Sequence, residues 1–263
     1  MHRSGSTLLT KMLEACQVFW GAEVDIYNEA KCFQQINETL LSLSGATWDN
    51  PAPLFISLRN KARLKIAEQN IRKLIDTEFL DAYFGHNRLS MRQSIKYPAY
   101  WGWKDPRNTF SIPVWNKLFP SMYVIHIVRN GIDVADSLWK RESSRPSEGD
   151  PHYSKICQSI EGCFSLWKYY VTVARQNMSV CKNVFEIRFE DLIEQPANTL
   201  KALNHFIGLN LDPNLDLVLP TIRPEKSFAF RNDKKLVRFW HLKKKDRLLV
   251  ELGYACRWSQ NMK

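Results

Sequence analysis

The stretch Met122-Tyr123-Val124-Ile125-His126-Ile127-Val128 limits most sharply what this chain can fold into. It is nearly continuous in apolar and β-branched residues, the pattern of a strand buried on both faces rather than on one. Such strands belong to parallel sheets covered by helices. The strand runs directly into Arg129-Asn130-Gly131-Ile132-Asp133-Val134-Ala135-Asp136-Ser137. A charged, glycine-containing turn in that place lies at the carboxyl edge of the sheet, where α/β folds bind ligands. Helical spacing then sets Asp133 and Ser137 one turn apart on one face.

Other segments repeat the strand–helix alternation. Val18-Phe19-Trp20 reads as a brief strand, and Asn28 as the N-cap of a helix from about Glu29 to Ser44. Residues 57–84 read as one or two helices with basic outer faces. Tyr100-Trp101-Gly102-Trp103 reads as a short strand ending in the turn Lys104-Asp105-Pro106-Arg107. Residues 143–154 are a loop, 156–177 a helix, 184–189 a strand, 197–207 a helix ended by Gly208, and 243–252 a last helix. Alternating strands and helices predict an α/β fold with a largely parallel sheet. The 263 residues are expected to form a single domain, with 210–263 as a helical, basic extension.

The first residues form a second constraint. Arg3-Ser4-Gly5-Ser6-Thr7 leads into a helical apolar pattern of Leu8, Leu9, Met12 and Leu13. A glycine and small polar residues at a helix start leave backbone N–H groups pointed at one spot. The helix dipole adds positive potential there, which favours an anion. Ser4, Ser6 and Thr7 add hydroxyl donors and Arg3 a guanidinium fork. An ordinary capped helix beside a solvated Arg is the plainer alternative. The loop lacks the Gly-Lys-Ser/Thr of a Walker sequence. Only Met1 and His2 precede it, so the sheet is expected without a first strand, or with the loop held another way.

Composition narrows the classes. The formal charge is +10, which fits a polyanionic ligand, nucleic acid or an acidic surface, yet no nucleic-acid-binding signature accompanies it. Cys16, Cys32, Cys157, Cys163, Cys181 and Cys256 form no CxxC pair, so reduced thiols and a cytoplasmic location are expected and no metal site. No apolar run is long enough to span a bilayer, and no signal-peptide core is present.

Arg-Ser-Gly-Ser-Thr-Leu-Leu at positions 3–9 resembles the 5′-phosphosulfate loop of sulfotransferases that use 3′-phosphoadenosine 5′-phosphosulfate (PAPS). The strand ending in Arg129, with Ser137 eight residues on, resembles the family's second signature. Lys104-Asp105-Pro106 resembles a turn of tyrosylprotein and related sulfotransferases, and Phe189-Glu190-Asp191-Leu192 with Phe206-Ile207-Gly208-Leu209 resembles two structural segments. The likeness runs from Arg3 to about Leu209. It implies a P-loop-type three-layer sandwich with a central, mostly parallel sheet flanked by helices. It further implies PAPS as co-substrate, with no metal. The 5′-phosphosulfate would be held by Arg3, Ser4, Gly5, Ser6, Thr7 and Leu8, and the 3′-phosphate by Arg129 and Ser137. Asn130 stands where an Asp is commoner. No clear Arg-Lys-Gly clamp occurs, and Lys226, Ser227 and Arg231 are the nearest substitutes.

Sulfuryl transfer is an in-line displacement needing a base for the acceptor proton and cations for the departing diphosphate. Arg3 and Lys104 are expected on the leaving side. Glu29 is the expected base, with Glu23 its rival. Each carboxylate has a capping or surface role as its plainer alternative. The expected acceptor is a small molecule, carbohydrate or peptide. A P-loop small-molecule kinase is the competing class, although its Walker Lys is absent. A non-catalytic nucleotide-binding module is a third.

Overall fold

A computed structural model describes residues 1–75, 79–85, 100–144, 153–208 and 219–255. In chain order the helices are α1 (Ser6–Ala15), α2 (Lys31–Leu43), α3 (Ala52–Arg59), α4 (Lys61–Leu74), α5 (Leu80–Phe84) and α6 (Asn108–Leu118). Strand β1 (Tyr123–Val128) is followed by α7 (Gly131–Ser143) and α8 (Ile160–Met178). After β2 (Asn183–Arg188) come α9 (Phe189–Glu194), α10 (Pro196–Ile207), α11 (Lys234–Lys243) and α12 (Arg247–Glu251).

β1 and β2 pair in parallel and in register from Tyr123 opposite Asn183 to Val128 opposite Arg188. Alternation along β1 sends its residues to two different cores. Ile125 and Ile127 join Leu9, Met12 and Leu13 of α1 and Leu200 and Leu203 of α10. Val124 meets Ile112 of α6 and Ala174 and Met178 of α8, and Val128 joins the larger core around Trp115, Trp167 and Tyr170. The sheet therefore lies between two helical layers, as expected for an α/β sandwich. Burying Leu9, Met12 and Leu13 contributes about 1.5–3 kcal/mol per side chain and fixes α1 against the strands.

The sheet is smaller than the pattern predicted. Residues 18–20 and 100–103 do not make strands; they meet only at a parallel bridge between Phe19 and Trp101. Phe19 N–H donates to the Tyr100 carbonyl (3.0 Å), and Gly102 N–H donates to the Phe19 carbonyl (2.9 Å). Aromatic packing takes over from the ladder here. Trp103 stacks on Phe33 with centroids 4.0 Å apart, and the Tyr83 hydroxyl donates to the carbonyls of Gly102 and Phe19. Met1, His2 and Arg3 form no strand, and Met1 is buried in the larger core. β1 is buried only toward its carboxyl end, with Tyr123 49% exposed, because among the described residues just one strand flanks it.

Three boundaries also differ. Asn28 does not cap α2: its backbone is left-handed (φ 59°), and Ala30 takes the cap position, leaving Glu29 to turn inward. The region 57–84 divides into the end of α3, α4 and α5. The last helix begins at Arg247 rather than 243, because Asp246 caps it by accepting from Leu248 N–H, and α11 precedes it where no helix was expected. Most of the expected 143–154 loop, Leu209, and Cys256 lie outside the described residues.

Candidate active site

One cleft of about 750 Å³ opens at the carboxyl end of β1, a size typical of small-molecule sites. Its lining includes His2, Arg3, Gly5, Ser6, Thr7, Glu29, Lys104, Arg129 and Ser137. It has two poles.

The first pole is the loop before α1 together with the start of α7. Gly5 is the N-cap of α1 at φ 88°, a left-handed conformation that favours glycine. A Cβ at this position would lie 2.2 Å from a Phe189 ring carbon. The loop thus sits tight on α9. Leu8 and Leu9 N–H donate to the Gly5 carbonyl, which leaves the N–H groups of Ser6 and Thr7, both in the cleft lining, without an intrahelical acceptor. Arg3 Nε donates to Ser137 Oγ at 2.9 Å, joining residues far apart in the chain. Asn130 caps α7 by accepting from Ile132 N–H, while Asn130 N–H donates to buried Glu190 Oε1 at 2.9 Å. The Glu190 carboxyl, raised by burial to about 7, also accepts from the Tyr254 hydroxyl at 2.7 Å. At Gly131 a Cβ would meet the Trp167 ring at 2.5 Å, so only glycine lets α7 begin this close to α8.

Arg129 is buried and held from several sides. Its Nη1 donates to the Arg3 carbonyl (3.3 Å), its Nη2 to the Lys226 carbonyl (2.7 Å), and its guanidinium lies over the Phe189 ring. Asp133 Oδ2 stands 3.8 Å from Arg129 Nη2. Burial pushes the Asp133 carboxyl up to about 6, against the pull of Arg129, while its Oδ1 accepts from Phe230 N–H. Arg129 Nε is buried and finds no partner among the described residues.

The second pole is a buried carboxylate between two cations. Glu29 Oε1 accepts from Lys104 Nζ at 3.1 Å and Glu29 Oε2 from Arg107 Nη2 at 3.0 Å. Arg107 also binds Glu38 Oε1 (2.5 Å) and Asp105 Oδ1 (2.8 Å). Asn37 anchors this turn to α2. It donates to Asp105 Oδ2 (2.9 Å) and Asn108 Oδ1 (2.8 Å) and accepts from Ser111 Oγ and Trp115 Nε1. Burial, with the nearby Asp105 charge, raises the Glu29 carboxyl above its usual range, and Lys104 and Arg107 oppose that rise. The poles meet at the Tyr27 carbonyl, which accepts from both Lys104 Nζ (2.5 Å) and Thr7 Oγ1 (3.3 Å).

Not every expected residue lies in the cleft. Ser4 is 1% exposed beneath the loop, and Leu8 packs against the α1 core. Glu23 points outward, with its side chain 71% exposed in an ion pair with Lys31. Arg231 covers the Phe228 ring outside the lining, whereas Lys226 lines the cleft. Phe228, Phe230, Phe239 and Trp240 of the basic extension pack into the core. Arg107 and Glu38 went unrecognised in the sequence. Arg107 follows Lys-Asp-Pro directly, which was its one available signal. A second groove of about 500 Å³ runs along β2, where Arg175 pairs with Glu186 and Arg188 with Asp191. No metal-ligating cluster occurs among the described residues.

A model of the sulfotransferase family matches residues 1–213. The chain belongs to that family. It is 28% identical over 96 residues to cytosolic sulfotransferase 15 of Arabidopsis thaliana, and 27% identical over 88 residues to cytosolic sulfotransferase 8 of the same plant. These matches take in 34% and 32% of the chain and 27% of each relative, so the chain matches about a quarter of those relatives' length.

Proposed function

We propose that the protein transfers a sulfuryl group from PAPS to a hydroxyl or amine of a small acceptor. One observation carries this reading: Arg3 and Ser137 hydrogen-bond each other in the same cleft that holds buried Glu29. The unpartnered buried Nε of Arg129 and the open first turn of α1 suit a ligand with anionic groups at both ends. Gly5, Ser6, Thr7 and Arg3 would hold the phosphosulfate, and Arg129 and Ser137 the 3′-phosphate. Ser4 and Leu8 would support the loop from behind. When bound, PAPS supplies an activated sulfuryl group and a diphosphate leaving group.

This chain's residues do the rest. Glu29, raised by its burial, takes the proton from the acceptor at a carboxylate oxygen. Lys104, bonded to Glu29 and to the Tyr27 carbonyl that Thr7 also reaches, would stand between the base and the phosphosulfate. With Arg3 it offsets charge building on the leaving side. Arg107 holds the other Glu29 oxygen and so orients the base. Glu23 has no part in this scheme, and neither does Arg231. The kinase alternative is not favoured by the family match, and the loop still lacks its lysine. The free thiols among the described cysteines accord with a reducing, cytoplasmic compartment.

The test is conversion of PAPS to its 3′,5′-diphosphate in the presence of a mixed panel of alcohols, phenols, sugars and amines. Turnover lost in Glu29→Gln supports the reading. Turnover retained in full by that variant removes Glu29 from the role of base.

A further inference from the structure

The chain's charge of +10 suggests an anionic acceptor, but the cleft distributes its charge otherwise. Arg3 and Lys226 line the first pole with no acid partner among the described residues, beside Arg129 with Asp133 and Lys140 with Asp136. At the second pole Asp25, Glu29 and Glu38 line the cleft, with Asp105 buried behind them, and the two cations there, Lys104 and Arg107, are bonded to Glu29, Glu38 and Asp105. Arg141 is matched by Glu142 at 2.6 Å. Burial and the surrounding cations Arg141, Arg107 and Lys104 hold His2 well below its usual pKa, so it adds no charge at neutral pH. Lys104 is bonded to Glu29, and Arg107 to Glu29, Glu38 and Asp105, so each of these cations already faces a carboxyl when an acceptor's sulfate, phosphate or carboxylate would arrive. An acidic acceptor would be repelled from the base.

What this pole does offer is hydrogen bonding beside flat apolar surface. Gln34 and Glu38 lie one turn apart on α2 and both line the cleft, as do Asp25 and the rings of Tyr27 and Trp48. Tyr27 is 46% exposed. His2 Nε2 is buried without a partner among the described residues, and its ring meets Trp48 edge-on. An amide and carboxylates bind pairs of neighbouring hydroxyls, and aromatic rings cover the C–H face of a sugar ring.

We propose that the acceptor is an uncharged polyhydroxylated molecule of the mono- or disaccharide class. This rests on the sulfotransferase reading above. One hydroxyl gives its proton to Glu29, and its oxygen forms the new bond to sulfur. The bond from sulfur to the bridging oxygen breaks, and its electron pair leaves on the 5′-phosphate of the 3′,5′-diphosphate. The product is a neutral sugar's sulfate ester.

The experiment uses the full chain with radiolabelled PAPS and four probe sets: maltose and cellobiose, heparin, 4-nitrophenol, and hexylamine. Binding of 3′-phosphoadenosine 5′-phosphate is measured in parallel by calorimetry. We expect label in the neutral sugars at about 100-fold or more over heparin and 4-nitrophenol, the discrimination a site built to bind hydroxyls achieves. Gln34→Ala should raise KM for the accepted sugar about tenfold, the loss of one net hydrogen bond, and leave nucleotide affinity in place. Preferred labelling of heparin, the phenol or the amine overturns the proposal. So does nucleotide binding with no sugar labelled, or a Gln34→Ala variant with unchanged KM. Absence of nucleotide binding instead overturns the sulfotransferase reading on which it stands.

Discussion

The two poles of the cleft are built differently. The loop pole is local: Arg3 to Thr7 and Arg129 to Ser137 are two short segments, each running from a loop into a helix start. The anion binding proposed for it rests on backbone geometry, on Gly5 at φ 88° and on the Ser6 and Thr7 N–H groups at the first turn of α1. The carboxylate pole is assembled from separate places. Glu29 precedes α2, Glu38 lies within it, and Lys104 and Arg107 come from a turn before α6. Both of its cations are neutralised by carboxyls, while Arg3 at the loop pole meets a hydroxyl. A site that must bind anions tightly and also keep a base available needs this division. Uncommitted cations beside Glu29 would hold its carboxyl too low to accept a proton near neutral pH.

Four substitutions sharpen or break that contrast. Glu29→Gln has the largest expected effect: turnover of PAPS falls by about 10²–10⁴, the contribution of a positioned base, and nucleotide affinity stays. Equal losses in turnover and affinity would merge the two poles into one. Gly5→Ala should act on the loop pole alone. It forces a left-handed alanine against Phe189, and thermal or urea unfolding should show a loss of about 2–4 kcal/mol. Unchanged stability would mean the loop shifts freely on α9.

Arg107→Gln tests the carboxylate pole through pH. Glu29 is already raised, so the acid limb of kcat should lie above the usual carboxylate range, with activity rising as pH rises through it. Arg107 favours the charged carboxylate, so its removal raises the Glu29 pKa again. The limb then moves to higher pH, by about one unit for each 1.4 kcal/mol of lost interaction. A limb that moves to lower pH contradicts the assignment of Arg107. The smallest effect belongs to Lys140→Ala. Its 2.8 Å pair with Asp136 leaves the lysine side chain 62% exposed, and such pairs contribute less than about 1 kcal/mol. Stability and nucleotide affinity should barely move in that variant.

Legibility followed the same division. The strand 122–128 and the turn after it were readable because apolar continuity and glycine placement are local signals, and both segments of the loop pole stand out for that reason. Glu29 and Lys104 were legible only through the resemblance. Nothing in sequence spacing brings Arg107 to Glu38, since their contact depends on how α2 packs against the turn before α6. Asn28 misled as a cap because its left-handed backbone belongs to a tight turn, in which Asp25 Oδ1 accepts from the N–H groups of Tyr27 and Glu29. The brief strands at 18–20 and 100–103 stop at a single bridge, where Phe19 bonds to the backbone of Tyr100 and Gly102 and the Tyr83 hydroxyl bonds to the carbonyls of Phe19 and Gly102. The extension reads as basic in sequence, yet its Phe228, Phe230, Phe239 and Trp240 are core in the structure, a distinction that composition does not carry.

The most direct test is calorimetric titration with 3′-phosphoadenosine 5′-phosphate and with 5′-AMP, in the unmodified protein and in Arg129→Ala. Charge-assisted hydrogen bonds to the 3′-phosphate are each worth about 1.5–3 kcal/mol. The account therefore predicts micromolar binding of the 3′,5′-diphosphate, binding of 5′-AMP at least tenfold weaker, and loss of that difference in Arg129→Ala. Equal affinity for the two nucleotides, or a preference that survives in Arg129→Ala, contradicts it.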